Sequence, residues 1–301
     1  MRRVIFVFCL LLNFKSSLSQ SITMTDSTGR PIPYATIEVL KKKSALFANA
    51  SGVIDISSLS IEEKDSLIIS SIGYKNLLVI AKNLTGKIVL ERQITKMPEA
   101  FVYSGEWKKE NWGSLKKPWQ FGSAWRMEGP GSQFARVIKS LDGNKKPALI
   151  YKIVFYTSHA ENSRSPVRLR MYEINENGLP GNDILTKTII EKIDKGKGWL
   201  EFDLTGDEIR IPDEGLIVAA EYFDTDTANW NSHKAQFIDL AGKKHKGIIN
   251  WYGGNFLTDD EENQGVTMMK RQGEWRKFNF VSGKKMTSTN LVVQVWVKTP
   301  K

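Results

Sequence analysis

The chain of 301 residues contains a single cysteine, Cys9, and only three histidines, His159, His233 and His245. Cys9 sits inside the apolar N-terminal run, so everything after it lacks a disulfide, a thiol nucleophile and a thiolate metal ligand. No H-x-x-E or H-E-x-x-H spacing occurs, which excludes the zinc sites built on those spacings. There is no G-x-S-x-G nucleophile elbow and no phosphate-binding P-loop. Gly129-Pro130-Gly131 lacks the third glycine and the strand-to-helix setting of a dinucleotide loop. Beyond the N-terminus no apolar run is long enough for a membrane helix. From Trp119 onward no segment keeps a 3.6-residue apolar period, so helices are not expected there. No cofactor is expected.

What is present begins with an export signal. Arg2 and Arg3 form a positive cap on the unbroken apolar run Val4–Leu12. Ser17-Leu18-Ser19 supplies a small-x-small cleavage site before Gln20. Residues 1–19 therefore read as a signal peptide, and the mature chain is expected to carry no transmembrane span. Phe6-Val7-Phe8 before Cys9 lacks the small residues of a lipoprotein anchor site.

The formal charge is +10, from 43 Lys and Arg against 33 Asp and Glu. Without Arg2, Arg3 and Lys15 the balance is 40 against 33, or +7. Residues 21–96 carry +3, residues 97–118 carry +1 and residues 119–301 carry +3. Nucleic-acid binders concentrate basic charge on one face. Here Lys41-Lys42-Lys43, Lys243-Lys244 and Lys284-Lys285 each fall between apparent strands, as solvated loops do. With the export signal, this argues against nucleic acid as a partner.

Asp26–Leu40 organises the first domain. Gly29, Pro31 and Pro33 make a restricted turn. Ala35, Ile37 and Val39 then alternate with Tyr34, Thr36 and Glu38, the period of a half-buried strand. Further strands are expected at 21–25, 45–49, 53–56, 66–71, 74–80 and 87–91, punctuated by Gly52, Gly73 and Gly86. Asp26, Asp55 and Asp65 lie in or beside turns, where carboxylates hold local backbone hydrogen bonds.

The turn, Pro31-Ile32-Pro33-Tyr34-Ala35 and the alternating strand resemble the start of a carboxypeptidase regulatory-like domain. That module is a prealbumin-like Greek-key β-sandwich of Bacteroidetes-type envelope proteins. Asn49–Ile56 and the strand ending in Ile72-Gly73-Tyr74 follow the same pattern. The resemblance covers residues 20–96, about a quarter of the chain. It implies a folding, spacing or interaction role with no chemistry of its own, and the zinc site of true metallocarboxypeptidases is absent.

Residues 97–118 read as a linker. Glu106–Trp112 is polar apart from Trp107 and Trp112. Residues 119–301 read as a larger, jelly-roll-like β-sandwich of eight to ten strands. Pro166–Ile174 alternates Val167, Leu169 and Met171 inward with Arg168, Arg170 and Tyr172 outward. Leu291–Val297 places Leu291, Val293, Val295 and Val297 on one face. Tyr151–Thr157, Trp199–Leu204 and Gly215–Phe223 are further strands. The fold class is all-β.

Three kinds of site are considered in this second sandwich. All nine tryptophans lie from Trp107 onward. Trp230, Trp251 and Tyr252 fall in apparent loops, where ring faces stack on the C–H faces of sugars. The alternative is that tryptophans fill the core and seal the domain junction. Asp224 and Asp226, with Asp259–Glu262, carry oxygen ligands suited to calcium, although Ala235 stands where an EF-hand loop needs Glu. Glu221, Asp224, Asp226, Asp259, Asp260, Glu261 and Glu262 are the carboxylates for a dispersed hydrolase site. The leading expectation is a non-enzymatic exported envelope protein with an interaction or scaffolding role. The alternatives are a carbohydrate-binding module and, third, a hydrolase. The partner is then an envelope protein or a glycan, in the periplasm, at the outer membrane or on the cell surface.

Overall fold

The computed structural model describes residues 21–93 except 41 and 43, then 103–114, 124–127, 131–140, 147–158, 165–193, 198–223, 230–238, 244–259, 266–271, 274–277, 280–282, 285–287 and 290–301. The signal segment lies outside these residues. Among the described residues regular structure is almost entirely β, with one short 3-10 turn at Ala81–Asn83. Among the described residues no helix is long and apolar enough to cross a membrane.

The first sandwich has the seven strands expected: β1 (Ser21–Asp26), β2 (Thr36–Val39), β3 (Ser44–Phe47), β4 (Val53–Asp55), β5 (Ser66–Ser70), β6 (Leu77–Ile80) and β7 (Lys87–Leu90). They form two sheets, β4-β1-β7 and β3-β2-β5-β6. β1 and β7 run parallel, while the other pairs here are antiparallel. Ile22, Met24, Ala35, Ile37, Val39, Leu67 and Ile69 fill the space between the sheets.

Asp26 closes the opening turn. Its carboxylate accepts from the backbone N–H of Thr28 and of Arg30, and from the Thr28 hydroxyl. The Thr28 hydroxyl is the largest influence holding its pKa well below the usual carboxylate range. This is the local role that its place beside a turn implies.

The second sandwich comprises β8 (Trp107–Gly113), β9 (Ala124–Met127), β10 (Gln133–Ile138), β11 (Leu149–Ser158), β12 (Pro166–Ile174), β13 (Pro180–Asp183), β14 (Ile190–Lys192), β15 (Gly198–Asp203), β16 (Ile209–Arg210), β17 (Leu216–Tyr222), β18 (Trp230–Ile238), β19 (Lys244–Asp259), β20 (Thr267–Arg271), β21 (Glu274–Lys277), β22 (Phe280–Ser282), β23 (Lys285–Thr287), β24 (Asn290–Leu291) and β25 (Val293–Pro300). One sheet runs β13-β12-β17-β10-β20-β21 and the other β18-β19-β11-β25-β8, while β22 and β23 pair with each other in a two-stranded sheet. Their inner faces bury Phe134, Leu169, Val218, Phe155, Phe202, Val295 and their neighbours in one core. There are more strands than the eight to ten expected, because pieces of two to four residues are too short to show alternation. Leu291–Val297 is also not continuous. It breaks at buried Val292, where the chain leaves β19 as its partner and joins β11 and β8.

The expected linker needs correction. Its central part is β8, which pairs antiparallel with β25 from Gln294↔Gly113 to Pro300↔Trp107. Trp112 is 4% exposed and belongs to the core of the second sandwich. Lys108 and Lys109 made the stretch look polar, but it is an edge strand. Trp112 anchors its end in the core, while Lys108 and Lys109 near its start carry the solvated charge that such edges tolerate.

Outward-pointing residues also do not all meet water. β2 is buried on both faces. Ala35, Ile37 and Val39 face the first core, while Thr36 and Glu38 face the second sandwich, where β12 and β20 meet them. Arg168 and Arg170, read as solvent-facing, are almost fully buried there. Strand alternation reveals which side a residue takes, and only the docking of the two sandwiches decides what covers that side.

Candidate functional site: a charged junction and a β-ribbon

Arg168 is the hub of the junction. Its Nε donates to Glu221 Oε2 at 2.9 Å, its Nη1 to the Tyr34 carbonyl at 2.7 Å and its Nη2 to Thr36 Oγ1 at 3.0 Å. Phe47 and Phe223 flank the guanidinium at 5.6 and 5.4 Å, a cation–π arrangement that joins the domains. Arg170 donates to Glu221 and to Asp183. Lys270 meets Glu38 at 2.8 Å.

Tyr34 has φ +57°, a left-handed conformation that a non-glycine residue rarely adopts. Its carbonyl is held by Arg168 and its ring packs edge-on to Phe223 at 5.6 Å, so the junction supports the strain. Gly131 has φ +86°, and a Cβ placed there would stand 2.9 Å from the Ala45 Cβ of the first sandwich.

The electrostatics match the burial. Burial pushes the Glu221 carboxyl up, but Arg168 and Arg170 outweigh it and hold the group at about 2. Burial raises Asp183, with Arg170 opposing. Burial also raises the Tyr172 phenol, which donates to Gln133 at 2.7 Å. Glu221 was a hydrolase candidate. Its carboxylate is instead 3% exposed and bonded to two arginines of its own sandwich, which suits holding Arg168 in place for its contacts with the first sandwich rather than an acid or base facing substrate.

Trp230, Trp251 and Tyr252, read as loop residues, lie on strands. β18 and β19 form a ribbon with nine paired positions, from Trp230↔Tyr252 to Ile238↔Lys244. Positions 230 and 252 share one face, while 251 lies opposite Asn231 on the other. The three are therefore not one platform. Polar residues such as Asn231, Ser232 and Asn250 disguised these strands as loops.

The ribbon leaves the sandwich at Gly253. There φ is +71°, and an added Cβ would lie 2.6 Å from both the Tyr222 ring and Ser165 Oγ. The Tyr222 hydroxyl donates to the Gly254 carbonyl at 2.8 Å and fixes the base. Gly253→Ala is expected to lower stability by about 1–3 kcal/mol through left-handed strain and this contact. Chemical denaturation of the variant measures it, and an unchanged midpoint would contradict this account of the base.

Seen from the ribbon's outer side, Ser232, Lys234, Lys244, Lys246 and Asn250 are exposed. Trp230 is 40% exposed and Ile248 is 67% exposed. All of these belong to the face that carries positions 230 and 252.

Asp224, Asp226, Asp260, Glu261 and Glu262 lie outside the described residues. Asp259 ends β19 and pairs with Asn290. Among the described residues no three His, Cys, Asp or Glu side chains gather as a metal site. His233 and His245 lie on the ribbon strands, and His159 is outside the described residues.

A second aromatic surface escaped the sequence reading. On the outer face of the larger sheet, Lys152 stands 5.4 Å from the Trp296 ring, and Lys109 and Lys298 stand 5.4 and 5.8 Å from Tyr151. Trp296 lies on the side of β25 opposite Val293, Val295 and Val297, and its lysine neighbour Lys152 comes from β11. The first sandwich also bears a shallow cavity of about 190 Å³ between β6 and β7, lined by Leu77, Val79, Leu84, Ile88 and Val89 among others.

No family model matches the chain and no curated protein matches it. Among solved structures it is similar to T=1 particles derived from infectious bursal virus, at 8% identity and a TM-score of 0.24 over 89% of this chain. Infectious bursal disease virus of the Gt strain is similar at 12% identity and a TM-score of 0.23 over 93%. The chain spans 59% and 64% of those two chains. No functional reading follows from a likeness this remote.

Proposed function

We propose that this chain is a non-enzymatic exported protein of a bacterial envelope and works by binding. In this reading the first sandwich, with its resemblance to a carboxypeptidase regulatory-like domain, holds the second in a fixed orientation. The ribbon then offers the recognition surface. One observation carries the proposal: an outer ribbon face that leaves Trp230 and Ile248 substantially in water, on a chain whose two sandwiches are tied by Arg168 and by the Lys270–Glu38 pair. The two stand on one face with Asn250 and Ser232 between them, and apolar side chains exposed among polar ones on one face suit a contact surface.

A photo-crosslinking residue at Ile248, expressed with the full signal, tests it. Discrete adducts are expected from the envelope fraction, and none from the same probe at exposed Glu176. Equal labelling at both positions, or no adduct at Ile248, would overturn the proposal.

Glycan recognition is the second reading, favoured by the half-exposed Trp230 in register with Tyr252. The hydrolase reading loses Glu221 to the arginines of the junction.

A further inference from the structure

Residues 119–301 contain 26 Lys and Arg against 23 Asp and Glu, an excess of three. Residues 230–252 contain four, Lys234, Lys243, Lys244 and Lys246, against one, Asp239, which is also an excess of three. The ribbon segment thus holds the whole net positive charge of residues 119–301, the remainder being neutral. None of the eighteen paired positions is Asp or Glu.

The register arranges this charge. Lys234 is opposite Ile248, Lys246 is opposite Gln236 and Lys244 is opposite Ile238, all on the face that also carries Trp230. Same-face neighbours along a strand are about 7 Å apart, and diagonal pairs across strands about 7–8 Å. The three lysines therefore form a row running from mid-ribbon to its tip, with each head group exposed to solvent. Toward the base follow Asn250 and Ser232, and then the half-exposed ring of Trp230.

We propose that this face binds a linear acidic polysaccharide, with the lysine row meeting its carboxylate, sulfate or phosphate groups. Asn250 and Ser232 meet hydroxyls, and Trp230 stacks on the apolar face of one sugar. This rests on the binding function proposed above and names the ligand class. Charge complementarity selects an anion. The extended row selects a polymer over a compact ion. Asn250 and Ser232, between the cations and Trp230, suit a hydroxylated chain, and Ile248 beside Lys234 gives its apolar face a further contact. An anionic bilayer would be met first by the ribbon tip, whereas the aromatic ring stands at the base.

The test uses the mature full-length protein on immobilised polygalacturonate, with a neutral linear glucan of equal length, single-stranded DNA and phosphatidylglycerol vesicles in parallel. Binding to polygalacturonate is expected, weakening as salt rises from about 0.05 to 0.5 M because exposed charges are screened. The Lys234→Gln, Lys244→Gln, Lys246→Gln triple variant is expected to bind at least about tenfold more weakly. The matching Lys→Arg triple retains binding, which separates charge from misfolding. Trp230→Ala weakens binding at constant salt. Wild-type affinity in the Gln triple, equal affinity for the neutral glucan or for DNA, or vesicle binding that polygalacturonate does not displace would each overturn the inference. If protein adducts form at Ile248 and polygalacturonate does not suppress them, the glycan inference falls while the interaction function stands.

Discussion

Arg168→Ala is expected to destabilise the protein by about 3–5 kcal/mol, the usual cost of breaking a buried ion pair from one side. The loss leaves Glu221 buried with only Arg170 as a close partner, and frees the Tyr34 carbonyl and Thr36 hydroxyl of their donor. Because those last two contacts cross between sandwiches, the first sandwich is expected to loosen from the second. Urea denaturation should show a lower midpoint, and trypsin should reach Arg170 in β12 and Lys270 in β20, both buried or half-buried at the wild-type junction. A midpoint within error of wild type would mean that the junction is not held by this network.

The same network sets an acid response. Glu221 is held at about 2 in the folded chain, below its ordinary 4.5. A depressed carboxyl contributes stability that is complete above 4.5 and is lost as pH falls toward the folded value. Asp183 has the opposite sign, since its folded pKa is raised, so ionising it weakens the fold as pH rises past 3.8. The Arg168–Glu221 tie is expected to dominate, with the junction weakening between pH 4.5 and about 2. Glu221→Gln should flatten that limb of the stability profile. An unchanged acid limb in this variant would assign the response elsewhere.

Trp112→Ala is expected to cost about 3–5 kcal/mol, from lost burial and the cavity left behind. Trp112 lies opposite Val295 and closes the core beneath β8, and its indole N–H donates to Glu110 at 3.2 Å. In the wild type, Lys108 and Lys109 lie in a hydrogen-bonded strand, so trypsin is expected to spare them. In the variant β8 should fray and both sites should open. Mass spectrometry of an early digest decides it: rapid wild-type cleavage at Lys108 or Lys109 would restore the flexible-linker reading. A second-sandwich fragment beginning at Trp119 lacks this strand and exposes the edge of β25, so it is expected to aggregate.

By itself the sequence determined the all-β class, the seven strands of the first sandwich and the inward face of β12, because alternation and turn residues act locally. Ala35-x-Ile37-x-Val39 and Val167-x-Leu169-x-Met171 specify their buried faces wherever the strands end up. Tertiary structure alone decided what covers the opposite faces. Thr36, Glu38, Arg168 and Glu221 alternate as solvent-facing residues do, and become interior only because two sandwiches dock with their charges matched. β8 was read as a linker for the same reason: its strand character comes from pairing with β25, nearly two hundred residues away in the chain. The lysine row was hidden because Lys234 and Lys246 become diagonal neighbours only across a hairpin register. Period reports which side a residue takes, while contacts between elements distant in sequence set its burial, its charge partners and its neighbours.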